Sequence, residues 1–345
     1  MNKDQNAKGV LLVNLGSPKS TLIKDVKAYL DEFLMDKFVI DVPYLLRAFI
    51  VKGIILNTRP KKSAKAYQRI WTKEGSPLIV LSKKLQNKVQ KNVDIPVGLA
   101  MRYGEPSIKT ELEKFHKNNI KQILLIPMYP QYAMATTKTI EELSKKIIKK
   151  YYIDINITFF PPFYNDNSYI ESLANSIKNS LQTFNPDYIL FSYHGVPERH
   201  IYKTDITKSH CKINSLCCNT PSEAHKFCYR HQCLQTTKNV AKALNLKEDT
   251  YSNSFQSRLG TDKWLQPYTD KTIIELAQKG IKKLAIVTPA FVTDCLETLE
   301  EIAIDGAHLF KENGGEDFLT IPCLNDNNQW SMTISQWIND WENKK

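Results

Sequence analysis

Residues 188–197 read YILFSYHGVP, from Tyr188 to Pro197. The first six are apolar, aromatic or small, too few for a helix and bounded by His194, Gly195 and Pro197. A short apolar run that stops at a breaker is the pattern of a strand buried on both faces of a parallel sheet. The same pattern recurs along the chain. Residues 10–15, 96–101, 122–128 and 156–160 read as strands in the first half. Residues 188–193, 250–255, 283–287 and 318–321 do so in the second. Most end at a breaker: Gly16-Ser17-Pro18, Gly104-Glu105-Pro106, Pro130, Pro161-Pro162, Gly195-Val196-Pro197 or Pro289. Longer helical patterns separate them. Strand, breaker and helix repeated at this spacing predict βαβ units around parallel sheets.

The expected fold class is therefore α/β, with two similar domains, each a four-stranded parallel sheet flanked by helices. The junction is expected near 160–169. The first domain then covers 1–165 and includes an apolar segment at 33–56. The second covers 166–325 with a Cys-rich insertion at 205–235, and a final helix over 326–345 packs back. A length of 345 residues suits two domains.

Composition narrows the function. Hydrophobic residues are 42% and charged residues 24%, which supplies a core and excludes a disordered chain. The net charge of +11 suits an anionic partner: nucleic acid, acidic lipid or a polyacidic small molecule. Solvated lysine faces, such as Lys145, Lys146, Lys149 and Lys150, explain such an excess equally well. The chain contains neither G-x-G-x-x-G nor G-x-x-x-x-G-K-[ST], so the usual phosphate cradle is absent. It also carries no recognisable nucleic-acid motif, and no nucleic-acid partner is expected. The longest apolar stretch, 38–56, is interrupted by Asp41, Arg47 and Lys52, so no transmembrane helix is expected. Residues 1–8 are polar and do not read as a signal peptide, which points to the cytoplasm and reduced thiols.

In open parallel sheets, ligands bind beyond the carboxyl ends of the strands. His194 sits at such an end before a glycine turn, where an imidazole can accept a proton or ligate a metal near neutral pH. Residues 288–305, TPAFVTDCLETLEEIAID, follow another strand and should open a helix. Glu297, Glu301 and Asp305 then share one face at i, i+4 and i+8. That face is either ordinary solvated surface or an anionic track for protons or a cation, since stacked carboxylates raise one another's pKa. Five of the seven cysteines, Cys211, Cys217, Cys218, Cys228 and Cys233, lie in one window with His210, His225 and His231 interleaved. An odd count with two adjacent cysteines fits thiolate-bound zinc or an iron–sulfur cluster better than disulfides. Four ligands from five are not determined by spacing. The segment 33–56 is either a buried helix or an apolar lip touching a crevice or a bilayer surface. There Arg47 and Lys52, with Arg59, Lys61 and Lys62 beyond, would meet anionic groups.

Seven stretches together resemble the ferrochelatase family, which inserts ferrous iron into a porphyrin. They are LLVNLGSP (11–18), YQRIWTKEGSP (67–77), MRY (101–103), YPQYAMATT (129–137), SYHGVPER (192–199), FQSRLGTDKWLQPYT (255–269) and DCLETLEE (294–301). The resemblance implies a class I chelatase-like arrangement with the porphyrin in a cleft between two Rossmann-like domains. It implies that His194 and Glu297 are catalytic and meet the Fe(2+) substrate, and that Glu301 and Asp305 continue as a proton or metal relay. Arg59, Tyr67, Met101, Arg102, Tyr132 and Trp264 match positions that line the macrocycle. Many relatives have His directly after the Asp of the acidic-helix motif; here it is Cys295. Animal relatives place cluster cysteines in a carboxyl-terminal extension, whereas some bacterial relatives use internal ones. A [2Fe–2S] cluster on four of the five clustered cysteines is therefore expected. The product is expected to be protohaem from protoporphyrin IX, with coproporphyrin III or another tetrapyrrole as the alternative substrate. A non-catalytic haem or metal sensor is the alternative of a different class. Peripheral membrane contact follows from the lip, and nothing in the sequence sets an oligomeric state.

Overall fold

The structure is a computed structural model that describes residues 7–214 and 216–343. All eight expected strands form: β1 Lys8–Gly16, β2 Val97–Tyr103, β3 Gln122–Pro127, β4 Asn156–Phe159, β5 Tyr188–His194, β6 Tyr251–Gln256, β7 Lys283–Val287 and β8 Asp317–Thr320. They make two four-stranded sheets, ordered β2-β1-β3-β4 and β6-β5-β7-β8, with every strand pair parallel. The central strands are buried on both faces, as their apolar runs require. Val10, Leu11, Val13 and Ile126 in one sheet, and Leu190, Phe191 and Ile286 in the other, have no exposed surface.

The chain divides into two compact units. The first runs to Met128 and adds Met134–Pro162 and the stretch from Asn325. The second is Tyr129–Ala133 with Phe163–Leu324. In the first unit the last helix, Asn328–Glu342, buries Trp330 and Ile338 completely. Lys88 ties its start to the helix Pro77–Gln90 through the Asp326 carboxylate at 2.9 Å. In the second unit Leu190, Leu284 and Ile286 of the sheet pack with Ile273, Ile302 and Phe310 of the flanking helices.

Strand order locates the switch points. β1 stands between β2 and β3, and β5 between β6 and β7, so successive crossovers leave in opposite directions from each central strand. A crevice opens at the carboxyl end of such a strand. Gly16 ends β1 with φ +109, and a Cβ there would lie 1.8 Å from the Tyr103 carbonyl oxygen. His194 ends β5.

Two segments depart from the sequence reading. The acidic stretch is a π-helix, Glu297–Gly306, and not an α-helix. The apolar segment forms the helix Tyr44–Ala48, a π-helix Phe49–Ile55 and the helix Leu56–Ile70 in succession. Pro60 lies within the last and has no N–H to donate. Upstream, Asn57 Nδ2 donates to the Gly53 carbonyl at 2.9 Å and Thr58 Oγ1 to the Ile54 carbonyl at 3.1 Å, satisfying oxygens that the wider turn releases.

Candidate active site

The second unit carries His194, Glu297, Glu301, Asp305, Tyr132 and Trp264, together with the five clustered cysteines. His194 Nδ1 lies 2.6 Å from the Gly195 carbonyl oxygen. A carbonyl only accepts, so Nδ1 carries the hydrogen, and in the neutral form of the ring Nε2 has the lone pair. Gly195 is required by crowding: a Cβ would lie 2.9 Å from the Ser257 carbonyl oxygen and 3.0 Å from that of Gln256. The Phe291 ring stands 6.2 Å from the imidazole.

After β7 the chain passes through a buried loop, with Thr288, Thr293, Asp294 and Cys295 all under 7% exposed. Asp294 Oδ1 accepts hydrogen bonds from Thr298 Oγ1 at 2.8 Å and from the Cys323 amide at 3.3 Å. This brace sets the start of the π-helix and hence Glu297. Gln256 Nε2 donates to the Glu297 carbonyl at 3.0 Å, and its Oε1 accepts from Ser192 at 2.9 Å. Glu301 accepts from the Ser257 amide at 2.9 Å and the Ser257 hydroxyl at 2.5 Å. Burial pushes the Glu301 carboxyl up, the Ser257 hydroxyl and the nearby His194 pull it back, and Glu297 adds repulsion. His194, Glu297 and Glu301 are thus electrostatic neighbours, while Asp305 is exposed at the far end of the same helix. Tyr132 is 7% exposed and its ring meets Phe227 edge-on at 5.0 Å. Trp264 pairs across from Pro197 and donates its indole N–H to the Leu259 carbonyl at 3.1 Å.

The first unit carries Arg59, Tyr67, Met101 and Arg102. Arg59 is exposed on the helix Leu56–Ile70, and Tyr67 is buried between Tyr29 and Trp71. Met101 has no exposed surface within β2. Arg102 is held by the Asp36 carboxylate and donates its Nε hydrogen to Thr139 at 2.8 Å. Tyr103 and Thr139 donate to the same carboxylate oxygen of Asp36, and burial pushes the Tyr103 phenol up. Arg47, expected to meet anions, is 8% exposed and donates to the carbonyls of Ile40 and Val42, both at 3.1 Å. It is an internal brace, because its position on the short helix points it at carbonyls that need a donor.

All seven cysteines are buried and none is bridged. Cys217 and Cys218 Sγ lie 4.0 Å apart. Cys228 shares hydrogen bonds with both Cys218 and Cys211. Arg230 Nη1 donates to Cys218 Sγ at 3.1 Å. The contact with Cys211, with burial behind it, pushes the Cys228 thiol up to about 12, and the contact with Cys228 pushes Cys218 up. Cys233 is fully buried and its side chain hydrogen-bonds Tyr229 instead. Among the described residues, no three Cys, His, Asp or Glu side chains are spaced to hold a single metal ion. His210 and His225 both direct Nε2 at the Cys217 carbonyl, at 2.7 and 3.1 Å, and His231 directs Nδ1 at that of Cys218, at 2.9 Å. Asp205 anchors the segment by accepting from the amides of Thr207, His210 and Cys211 at 2.8–2.9 Å. Burial raises its carboxyl, but these donors outweigh it and hold the pKa at about 2.

Gln256, Ser257, Tyr229 and Gln232 escape the sequence reading. Gln256 and Ser257 stand inside FQSRLGTDKWLQPYT, and their position at the end of β6, beside His194, was the available signal.

The Ferrochelatase family model matches residues 7–341. The chain belongs to the ferrochelatase family. A ferrochelatase of Pseudomonas syringae pv. tomato is 46% identical over 329 residues, covering 95% of this chain and 96% of that one. A ferrochelatase of Pseudomonas fluorescens is 47% identical over 328 residues, covering 94% and 96%. Among solved structures, SirB from Bacillus subtilis with Fe3+ aligns with a TM-score of 0.54 at 11% identity, covering 97% of this chain and 95% of that one. The sirohydrochlorin chelatase SirB from Bacillus subtilis subspecies spizizenii in complex with cobalt aligns at 0.51 and 12%, covering 95% and 93%. At such identity these structures speak to the fold alone.

Proposed function

We propose that this member of the family inserts Fe(2+) into protoporphyrin IX to form protohaem. The observation that carries the reading is His194 at the switch-point end of β5, with Nδ1–H committed to the Gly195 carbonyl and the Nε2 lone pair left for a proton.

As iron enters, two pyrrole N–H protons must leave. His194 Nε2 accepts one, and Glu297, placed by Gln256 and the Asp294 brace, orients the imidazole or meets the iron. Glu301 and Asp305 pass protons or iron onward along the π-helix. A carboxyl with its pKa raised by burial, as at Glu301, exchanges protons nearer neutral pH than an exposed one. Arg59 pairs with a propionate, while Tyr67, Arg102, Tyr132 and Trp264 line the ring; Met101, with no exposed surface, is a core residue of β2 instead. Binding energy on the ring periphery strains the macrocycle and bares its nitrogens.

A [2Fe–2S] cluster on Cys211, Cys217, Cys218 and Cys228 belongs to this reading. Its support is the chain of thiol contacts. Buried thiols in mutual contact resist ionising together, and a bound cationic centre relieves that repulsion. Such a cluster supplies one-electron chemistry and a crosslink between loop segments. Iron and acid-labile sulfide in equal amounts, at two each per chain, are the expected contents; zinc without sulfide removes the cluster.

The protein is read as cytoplasmic and peripheral on an acidic bilayer. Tyr44, Leu45, Phe49 and Ile54 are 50% or more exposed beside exposed Lys52, Arg59, Lys61, Lys62 and Lys65.

The test of the activity is anaerobic insertion with purified protein, Fe(2+) and either protoporphyrin IX or coproporphyrin III. Appearance of the protohaem spectrum, at least ~100-fold reduced in His194→Ala, is expected. No haem from either porphyrin sinks the activity. A higher kcat/KM for coproporphyrin III replaces the substrate, and full turnover in His194→Ala removes the mechanism.

A further inference from the structure

The helix Tyr229–Ala243 starts one residue after Cys228, and its first turn reaches both His194 and Tyr132. Tyr229 is 6% exposed, and its hydroxyl donates to the His194 carbonyl oxygen at 2.7 Å. The next atoms of that peptide are pinned too: the Gly195 N–H donates to the Gln256 carbonyl at 2.7 Å. The peptide plane between His194 and Gly195 is therefore held from both edges. The carbonyl of Gly195 in turn holds the imidazole through Nδ1. Glycine turns about its backbone bonds more freely than any other residue. Removing one edge of this clamp lets the peptide rotate, and the imidazole moves with it.

Gln232, with no exposed surface, acts on the other residue. Its Oε1 accepts from the Tyr132 amide at 2.7 Å. Its Nε2 donates to the carbonyls of His225 at 3.1 Å and Lys226 at 2.9 Å. The Tyr229 hydroxyl also meets the buried Cys233 thiol, and these contacts of Tyr229 and Gln232 are all buried or half-buried, so water replaces them poorly.

We propose that Tyr229 and Gln232 are positioning residues that serve different steps. Tyr229 acts through His194 on proton transfer, and Gln232 acts through Tyr132 on holding the macrocycle. The inference rests on the reading that His194 takes the pyrrole proton and Tyr132 lines the ring.

The experiment is steady-state anaerobic insertion with the full chain, Fe(2+) and protoporphyrin IX, together with porphyrin Kd from fluorescence quenching. The variants are Tyr229→Phe, Gln232→Leu and Gln232→Glu, with His194→Ala as the control. Tyr229→Phe is expected to lower kcat by about tenfold or more while porphyrin Kd stays within about twofold. Gln232→Leu is expected to raise porphyrin Kd and KM about fivefold or more with kcat within about twofold, and Gln232→Glu, which keeps an acceptor for the Tyr132 amide, to recover most of the binding. Equal changes of kcat and Kd in both variants, or a fall in Tm with unchanged kinetics, overturn the proposal and leave a structural role only. His194→Ala at full turnover overturns the reading beneath it. An inactive His194→Ala beside a wild-type Tyr229→Phe overturns the Tyr229 assignment alone.

Discussion

Glu301 shows how one hydroxyl sets the working range of a buried carboxyl. Burial raises its pKa, and the Ser257 hydroxyl lowers it by donating to the ionised form. Ser257→Ala removes that donor, so the pKa rises further. If the ionised carboxylate carries protons away, the acid limb of the kcat profile moves to higher pH and activity falls most at the acid end, which a pH series checks directly. Gly195→Ala is a steric case. The added Cβ meets two carbonyl oxygens at 2.9 and 3.0 Å, and backbone gives way less easily than a side chain. A loss of about 1–3 kcal/mol, read by denaturant titration, is expected. Arg102 and Asp36 are 12% and 5% exposed, so breaking the pair leaves a buried charge. Asp36→Ala is expected to cost about 3–5 kcal/mol in the same measurement.

At the scale of elements, the acidic π-helix and the cysteine segment depend on braces rather than on propensity. Glu297, Glu301 and Asp305 were read as one α-helical face, and periodicity does not distinguish a turn of i→i+4 from one of i→i+5. The wider turn is braced locally, by Thr298 on Asp294 four residues earlier, and over distance, by Glu301 on Ser257, 44 residues away in sequence. The cysteine segment depends likewise on Asp205, the shared acceptor for three backbone amides. Asp205→Ala leaves the buried Cys211 amide without its acceptor. It is expected to destabilise the segment by about 1–3 kcal/mol and to lower bound iron per chain, measured by hydrogen exchange and metal analysis.

For the whole molecule, the +11 charge and the exposed apolar helices make one prediction. The protein should co-sediment with anionic vesicles at low salt and be released as salt rises. Leu45→Ser with Phe49→Ser should weaken that binding without changing insertion into detergent-solubilised porphyrin. Neither residue belongs to the core, since they are 81% and 65% exposed. Binding unchanged by the double substitution removes the lip as the contact. Arg47 contributes nothing to such a surface, because its guanidinium is spent on carbonyls inside the fold.

Eight strands, their grouping in fours and the place of His194 were all legible in the chain. Buried parallel strands need continuous apolar runs, and the turns after them need glycine or proline; both are local properties of sequence. Contacts between distant residues were not legible. That Cys228 meets Cys211 and Cys218, that Arg47 turns inward, that Arg102 is neutralised by Asp36, and that Tyr229 and Gln232 grip His194 and Tyr132 all depend on pairs 7 to 100 residues apart. Their partners are chosen by where the two sheets and their helices bring the backbone, and a hydrogen bond reaches only about 3 Å once the chain is there.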